Sequence, residues 1–339
     1  LGLALACCVI AYLNYDFAMS YDKQHENYDE LYQISVTREN NGSSIPFGMG
    51  LMALGPQLKD EIPGLKAYSR FERIGITIKK DNNIFDRELG FVDDDFMDMF
   101  TFPVKFGNPE SYLELSNIMI SESTAISLFG KADPVGETVE LIVSGKPSLL
   151  FTVGAVFEDV SPQSTLQFQM LLHFENYYRY AGVEKGDWRR FVDGVFIQSE
   201  DPSVLQTGPG LLKKYAAVQN QARKDFMVSG FWLQSMPDVP FNQRDLNGTS
   251  LGNEALHPAH ILAPNVMAIM ILLLACFNFT NTAIAMSNKR LKEIGIRKTL
   301  GASTWEVTSL LIRDFSRPVL IANIIAWPLA WYAATTYLK

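Results

Sequence analysis

Four histidines, three cysteines and a run of three aspartates are the residues with which this chain of 339 amino acids could do metal or nucleophile chemistry. His257 and His260 have a spacing that suits a metal, but no third ligand lies near and Pro258 interrupts the helix between them. Asp93-Asp94-Asp95 lacks the alternating ligands and turn glycine of a calcium loop and reads as a solvated acidic turn. Cys7, Cys8 and Cys276 all lie in uncharged apolar stretches, so they read as small buried apolar residues. The polar body between them has no cysteine for a disulfide framework or a thiolate zinc site. Gly130-Lys131 and Gly145-Lys146 lack the upstream glycine and following hydroxyl residue of a phosphate loop. Gly48-Met49-Gly50, with Ala53 and Gly55, has no strand before it and reads as a flexible helix start. No Ser, His and acid arrangement stands out, so nothing argues for catalysis within the chain. The segment with the most distinctive pattern is a different kind of feature: NKRLKEIGIRKTLGAS, from Asn288 to Ser303, five of whose residues are basic.

The charge distribution shows what must position that segment. Overall the chain is 47% apolar and 19% charged with a net charge of −8. Residues 16–260 hold 21 Lys and Arg against 34 Asp and Glu, a net of −13, whereas residues 261–339 hold 8 against 3, a net of +5. An acidic body excludes nucleic acid as a partner, because phosphates demand a basic face. Residues 1–15 carry no charge, and the run LGLALACCVIAYLNY reads as the second half of a transmembrane helix in a fragment of a longer protein. Ile261 to Ala285 is an apolar run of 25 residues, long enough to span a bilayer with tilt. Asn265, Asn278, Thr280, Asn281 and Thr282 within it are of the kind that face neighbouring helices rather than lipid. Pro318 to Leu338 is a second uncharged run, of 21 residues, that would extend about 32 Å as a helix. The basic loop between these two runs belongs inside the cell, and by alternation the acidic body lies outside.

Within the body, helix and strand patterns follow one another without a strict βαβ rhythm, which implies an α+β domain. The spacing around Tyr21, Tyr28, Leu31 and Tyr32 predicts a helix continuing out of the membrane, entering a strand near Ile34. Phe47 to Leu58 reads as a helix ended by Ile62-Pro63-Gly64. Ile74, Ile76 and Ile78 alternate as a strand, with Ile84 to Val92 its hairpin partner across Asp81-Asn82-Asn83. Ile118 to Ile120, Glu137 to Val143, Leu149 to Phe157, Phe168 to Phe174, Val195 to Gln198 and Val228 to Leu233 read as further strands, with a turn over Ser144 to Pro147. Ser121 should cap a helix stopping at Gly130, and the stretch before Phe226 should be helical from Gly210. Trp188 and Phe231-Trp232 belong to the core more readily than to a binding surface.

The basic segment resembles the cytoplasmic loop of the FtsX-like permease family of ABC transporters, the MacB type above all. That family shows a basic stretch, Glu-Ile-Gly, a basic residue and Leu-Gly-Ala-Ser. Here these are Lys289, Arg290, Leu291, Glu293-Ile294-Gly295, Arg297, Lys298 and Leu300-Gly301-Ala302-Ser303. The body is similar to a MacB-type periplasmic core domain in SYDKQHENYDELYQI, in Phe91 through Phe102, and in ISESTAISLFGKADPVGETVEL followed by FTVGAVFEDV. The family places a Glu just before its third membrane helix; here Asp314 stands near that place, followed by Arg317-Pro318.

The resemblance implies a multi-pass membrane protein: an α+β extracytoplasmic domain over 20–258, inserted between a partial helix over 1–19 and a permease region over 259–339. That region would comprise a helix over 261–285, a coupling loop over 286–316 and a helix over 318–338. It further implies a non-catalytic permease subunit of the bacterial inner membrane with no cofactor of its own, ATP being bound by a separate cytoplasmic ABC ATPase. Other implied partners are the lipid bilayer, a second permease unit or a second half of the same chain, and a periplasmic adaptor. Members of the family transmit ATPase motion to the periplasmic domain to export or extract cargo, which this sequence does not name. In such a scheme Leu291, Ile294 and Leu300 would enter a groove of the ATPase while Lys289, Arg290, Arg297 and Lys298 meet its acidic rim or lipid phosphates. The alternative without a partner is simple positive-inside anchoring. Gly295 and Gly301 each weaken a helix by about 1 kcal/mol relative to Ala, so a turn or a close backbone approach should explain them. Two other classes stand beside this one: a membrane-spanning sensor whose outer domain binds a ligand, and a membrane-anchored enzyme, which would require an acid/base cluster in the body.

Overall fold

Successive side chains of a strand point to opposite faces, so the apolar runs of the body's strands reach both faces of one sheet. The computed structural model describes residues 2–40, 42–80, 83–142, 148–242, 246–248, 251 and 258–337. It divides into two units, residues 21–256 and residues 1–20 with 257–339.

After helix α1 (Gly2–Met19), the body opens with β1 (Leu31–Asn40), β2 (Ser43–Pro46), β3 (Gly50–Leu51) and a single helical turn, α2 (Leu58–Glu61). The long hairpin β4 (Leu65–Lys80) and β5 (Asn83–Val92) follows, then α3 (Phe96–Met99), β6 (Val104–Gly107), β7 (Asn117–Ser121) and α4 (Glu122–Phe129). Next come β8 (Thr138–Ile142), β9 (Leu149–Phe157), β10 (Met170–His173), α5 (Glu175–Ala181), β11 (Phe191–Val192) and β12 (Gly194–Ser199). The body closes with α6 (Val204–Ala222), β13 (Val228–Ser235) and α7 (Val239–Asn242). Among the described residues the main sheet runs β13-β1-β12-β4-β5-β10-β7-β9-β6, with β2 on β1 and β8 bridging β4 and β9. Most pairs are antiparallel; β5 with β10 and β7 with β9 are parallel.

Burial of both faces explains why Met170–His173 and Gly194–Ser199 read as continuous apolar runs. Met170 and Leu172 enter one core and Leu171 the other; Val195 and Ile197 enter the first and Phe196 the second. The second core is dense in aromatic rings: Phe71, Phe96, Phe100, Phe102, Phe157 and Phe168 pack with centroids mostly 5–6 Å apart. Ser121 caps α4 by accepting the Thr124 N–H, and α4 ends at Gly130 with φ +66°. The predicted turns at Asp81-Asn82 and Ser144 to Pro147 lie outside the described residues.

Three expectations change. The segment after α1 is not a continuing helix: the chain turns at Asp22, whose φ is +58°, and reaches β1 through turns. Phe47 to Leu58 is not one helix either. Gly50 lies in β3, paired with β11, where a Cβ would come within 2.3 Å of the Val195 side chain, and helical geometry begins only at Met52 as a 3-10 turn. The helix placed from Gly210 starts earlier, at Val204, and carries Pro209 within its second turn.

The second unit holds α1, α8 (Pro258–Lys289), α9 (Leu291–Thr299) and α10 (Thr304–Tyr337). By length and composition, Gly2–Met19 and Ala259–Asn288 are long and apolar enough to cross a membrane. The uncharged run from Pro318 falls in α10, which continues unbroken past Pro318 and Pro328. α1 meets α10 through small residues: Ala6 packs with Ala326 and Ala330, and a Cβ on Gly2 would lie 3.0 Å from the Ala322 carbonyl. Small side chains let helix backbones approach where lipid gives no hydrophobic drive.

Candidate functional site

The basic motif folds as a joint between α9 and α10. Gly301 N–H donates to the Lys298 carbonyl (3.1 Å) and Ala302 N–H to the Arg297 carbonyl (3.0 Å), the paired bonds of a Schellman turn that ends α9. Gly301 sits at φ +92°, where any side chain would be strained, so this glycine is explained by the turn. α10 starts two residues later with a reciprocal cap. Ser303 Oγ accepts the Glu306 N–H (3.3 Å), and Glu306 Oε2 accepts the Ser303 N–H (2.8 Å). Leu-Gly-Ala-Ser is thus a stop signal and a start signal in immediate succession.

The joint displays apolar side chains. Leu291, Ile296, Leu300 and Trp305 are all exposed, Leu300 at 81%. Of the three residues expected to face a partner, Leu291 and Leu300 do point outward and Ile294 is half-buried. Ile296 and Trp305 were not singled out, although Ile296 lies one helical turn before Leu300. Two of the basic residues are engaged within the chain: Arg297 pairs with Glu293 at 2.9 Å across one turn, and Arg290 pairs with Asp314 of α10. Lys298 is exposed, as is Lys292; the Lys289 side chain lies outside the described residues. A Cβ on Gly295 would meet open space among the described residues, so the fold itself does not require glycine there.

In the body, Asp93 departs from the solvated acidic turn expected of the three aspartates, whereas Asp94 is exposed as expected and Asp95 is half-buried. Asp93 is only 7% exposed and takes a two-pronged ion pair from Arg70, with Oδ1 accepting Nη2–H at 2.6 Å and Oδ2 accepting Nε–H at 2.8 Å. Arg70 Nη1 donates to the Tyr178 hydroxyl (2.7 Å) and the Met52 carbonyl (3.2 Å), and its guanidinium lies 3.8 Å from the Phe174 ring centre. Asp94 meets His173 Nε2 at 2.5 Å, and Asp95 accepts the Tyr68 N–H at 3.3 Å. The carboxylates therefore fasten the end of β5 to β4 and β10. Charge runs are usually solvated, and only the tertiary fold supplies Arg70 as a partner. A cleft of about 540 Å³ lies against this network, lined by Tyr68, Arg70, Asp93, His173, Tyr178 and Trp188 among others.

A second acidic group sits between β4, β12 and α5. Glu72 Oε2 accepts the Asp193 N–H (3.0 Å), Oε1 accepts the Tyr177 hydroxyl (3.2 Å), and Asp193 accepts the Arg73 N–H (2.9 Å). Burial pushes the Glu72 carboxyl well above its ordinary range, and the Asp193 charge beside it adds to the rise. No group of three His, Cys, Asp or Glu side chains able to hold a metal occurs among the described residues. His257, half of the pair with metal-like spacing, lies outside them. Phe231 is in the core, Trp188 stacks on Tyr215 at 5.1 Å, and Trp232 donates to the Phe47 carbonyl (3.3 Å).

Residues 265–338 match the family described as FtsX-like permease C-terminal. No curated protein matches the chain. Among solved structures, the chain is similar to a domain of a permease protein from Porphyromonas gingivalis, with 18% identity and a TM-score of 0.48 over 70% of this chain and 98% of that one. It is similar to the extracellular domain of the noncanonic ABC-type transporter YknZ from Gram-positive bacteria, with 17% identity and a TM-score of 0.42 over 58% and 98%. It is also similar to the periplasmic region of MacB from Actinobacillus actinomycetemcomitans, with 12% identity and a TM-score of 0.44 over 65% and 95%.

Proposed function

Because residues 265–338 match the family described as FtsX-like permease C-terminal, we propose that this chain is the non-catalytic membrane subunit of an ABC-type transporter, docked through the α9–α10 joint on a separate cytoplasmic ATPase. The observation that carries the reading is the joint itself. Its two caps hold the helix ends in a defined geometry and display Leu291, Ile296, Leu300 and Trp305. An amphipathic helix with apolar anchors is the form in which a helix enters a partner's groove. With Arg297 and Arg290 engaged in the chain, Lys292 and Lys298 are, among the described side chains of the motif, the cations left to meet an acidic rim. In this scheme the ATPase closes on ATP, the joint moves with it, and the helices carry the displacement to an extracytoplasmic body in the inner membrane. The body then acts on cargo outside the bilayer.

The test is co-purification of the full-length protein with candidate soluble ABC ATPases, comparing wild type with Ile296→Asp and Leu300→Asp. Retention by wild type and at least a tenfold loss in each variant is the expected result, since a buried apolar anchor is worth about 2 kcal/mol or more at an interface. Equal retention by all three would remove the joint from the interface. If no ATPase is retained, the sensor reading gains, and the cleft beside Arg70 becomes the place to look for a ligand.

A further inference from the structure

The body grips the chain immediately after α1 with more buried polar bonds than a connecting turn needs. Asp22 is fully buried, yet its carboxylate accepts the Thr165 N–H (2.7 Å), the Thr165 hydroxyl and the Ser164 hydroxyl (3.3 Å). Its own N–H donates to the Gln163 carbonyl (2.8 Å). It does this at φ +58°, in the left-handed region that aspartate adopts more readily than most residues other than glycine. Three residues on, His25 is buried edge-on against Phe100 and Phe102, each centroid 5.2 Å away, and its Nδ1 accepts the Thr101 N–H (3.1 Å). Its Nε2 then carries the proton, 3.5 Å from the Gln24 side-chain amide and 3.8 Å from the Asp22 carboxylate. Glu26 N–H donates to Thr101 Oγ1 (2.9 Å) and the Asn27 amide to the Asp98 carbonyl (2.9 Å). Burial pushes the His25 ring down to about 4, so the imidazole is neutral and the grip is made of hydrogen bonds.

We propose that Asp22 and His25 are positioning residues of a mechanical clamp, which delivers a displacement of the end of α1 to the loops at 161–165 and 98–101 of the body. The proposal rests on the reading that the membrane helices move with the ATPase. Its physical basis is slack. Without Asp22 and His25 the first attachments are those of Glu26 and Asn27, so residues 20–25 form a six-residue tether that can stretch to about 20 Å and absorb a helix shift of a few ångströms. With Asp22 fixed, only two residues separate the last turn of α1 from a rigid attachment, and the slack falls to about 7 Å. The clamp also engages two loops that lie far apart in sequence, so the pull is applied across the aromatic core rather than to one strand.

The test uses the full-length protein in lipid nanodiscs and reads amide hydrogen exchange. Asp22→Ala should speed exchange of residues 22–28 and of 163–165 by about tenfold, with β10 amides unchanged. Asp22→Gly, which is comfortable at positive φ, should do the same and so separates the lost clamp from backbone strain. Thr165→Val, which removes only a hydroxyl donor, should give about a threefold change in the same two segments. Protection that persists in Asp22→Gly, or exchange that rises across the whole sheet, overturns the clamp. A second readout follows the complex with its ATPase before and after ATP and vanadate. A nucleotide-dependent change at 161–165 in wild type should vanish in Asp22→Gly although ATP is still hydrolysed; its survival there overturns the proposal. If wild type shows no such change, the transporter reading fails, while the first readout still decides the clamp.

Discussion

The body and the helical unit draw on the same apolar residues and place them oppositely. In the body the large side chains lie inside, on both faces of the sheet, and Phe71, Phe91, Phe96 and Phe196 are almost wholly buried. In the helical unit Phe277 is 68% exposed and Trp331 70%, together with Leu262, Met267, Ile324 and Trp327. Polar groups divide in the same way. The body pairs them over long sequence distances, Arg70 with Asp93 and Asp22 with Thr165. In the helices many are met locally, by donation to the carbonyl four residues back: Asn265 to Ile261, Thr282 to Asn278, Ser316 to Ile312 and Asn323 to Val319, while Arg290 with Asp314 and Asn14 with the His260 carbonyl pair at longer range. A body folded around two cores can bury charge when the fold brings a partner, whereas a polar side chain on an exposed helix face most readily meets the carbonyl of its own preceding turn.

The largest effect that tests this contrast is Asp93→Ala. It leaves Arg70 buried without its counter-charge and should destabilise the body by about 3–5 kcal/mol, read as a lower denaturant midpoint for the body's transition. A loss below about 1 kcal/mol would mean that the pair does not organise this part of the sheet.

Glu72→Gln probes the same principle with its sign reversed. The folded-state pKa of Glu72 lies above its unfolded value, so its stabilising contribution is complete in acid and is lost as pH rises through the folded value. Wild type should therefore weaken between about pH 5 and about pH 9, and the variant should keep about 1–2 kcal/mol more at the alkaline end. Parallel curves for the two proteins would show that the carboxyl ionises there without strain.

The smallest effect belongs to the helices. Thr282→Val removes a bond to the residue's own turn and should cost about 0.5 kcal/mol or less in a thermal-shift measurement on the full-length protein. A cost comparable to that of Asp93→Ala would erase the distinction between the two units.

Much of this was legible in the residues. Alternation identified the strand at 74–78, because a period of two is visible without a partner, and short apolar runs marked those at 118–120 and 195–198. Ser121 and Gly130 marked the ends of α4, because caps are local chemistry. The helical reading of Phe47 to Leu58 failed for a reason outside that segment: Val195 and the short pairing with β11 make Gly50 a strand residue. The basic motif was recognised as a pattern, but its division of labour was hidden. Gly301 and Ser303 shape the joint, Ile296 and Trp305 share its outer face, and Asp314 engages Arg290 across 24 residues.

What the sequence alone determined is what depends on one stretch of chain: the uncharged runs, the acidic body, the basic loop, the helix caps and the periodicity of the strands. Tertiary structure alone decided what depends on two distant stretches meeting. It turned an acidic run into the counter-charge of Arg70, made Asp22 and His25 a buried grip, and set Gly2 and Ala6 against Ala322, Ala326 and Ala330. The physical reason is that capping and periodicity are short-range properties of the backbone, while the pairing of a buried polar group is settled by whichever residue the fold brings within about 3 Å of it.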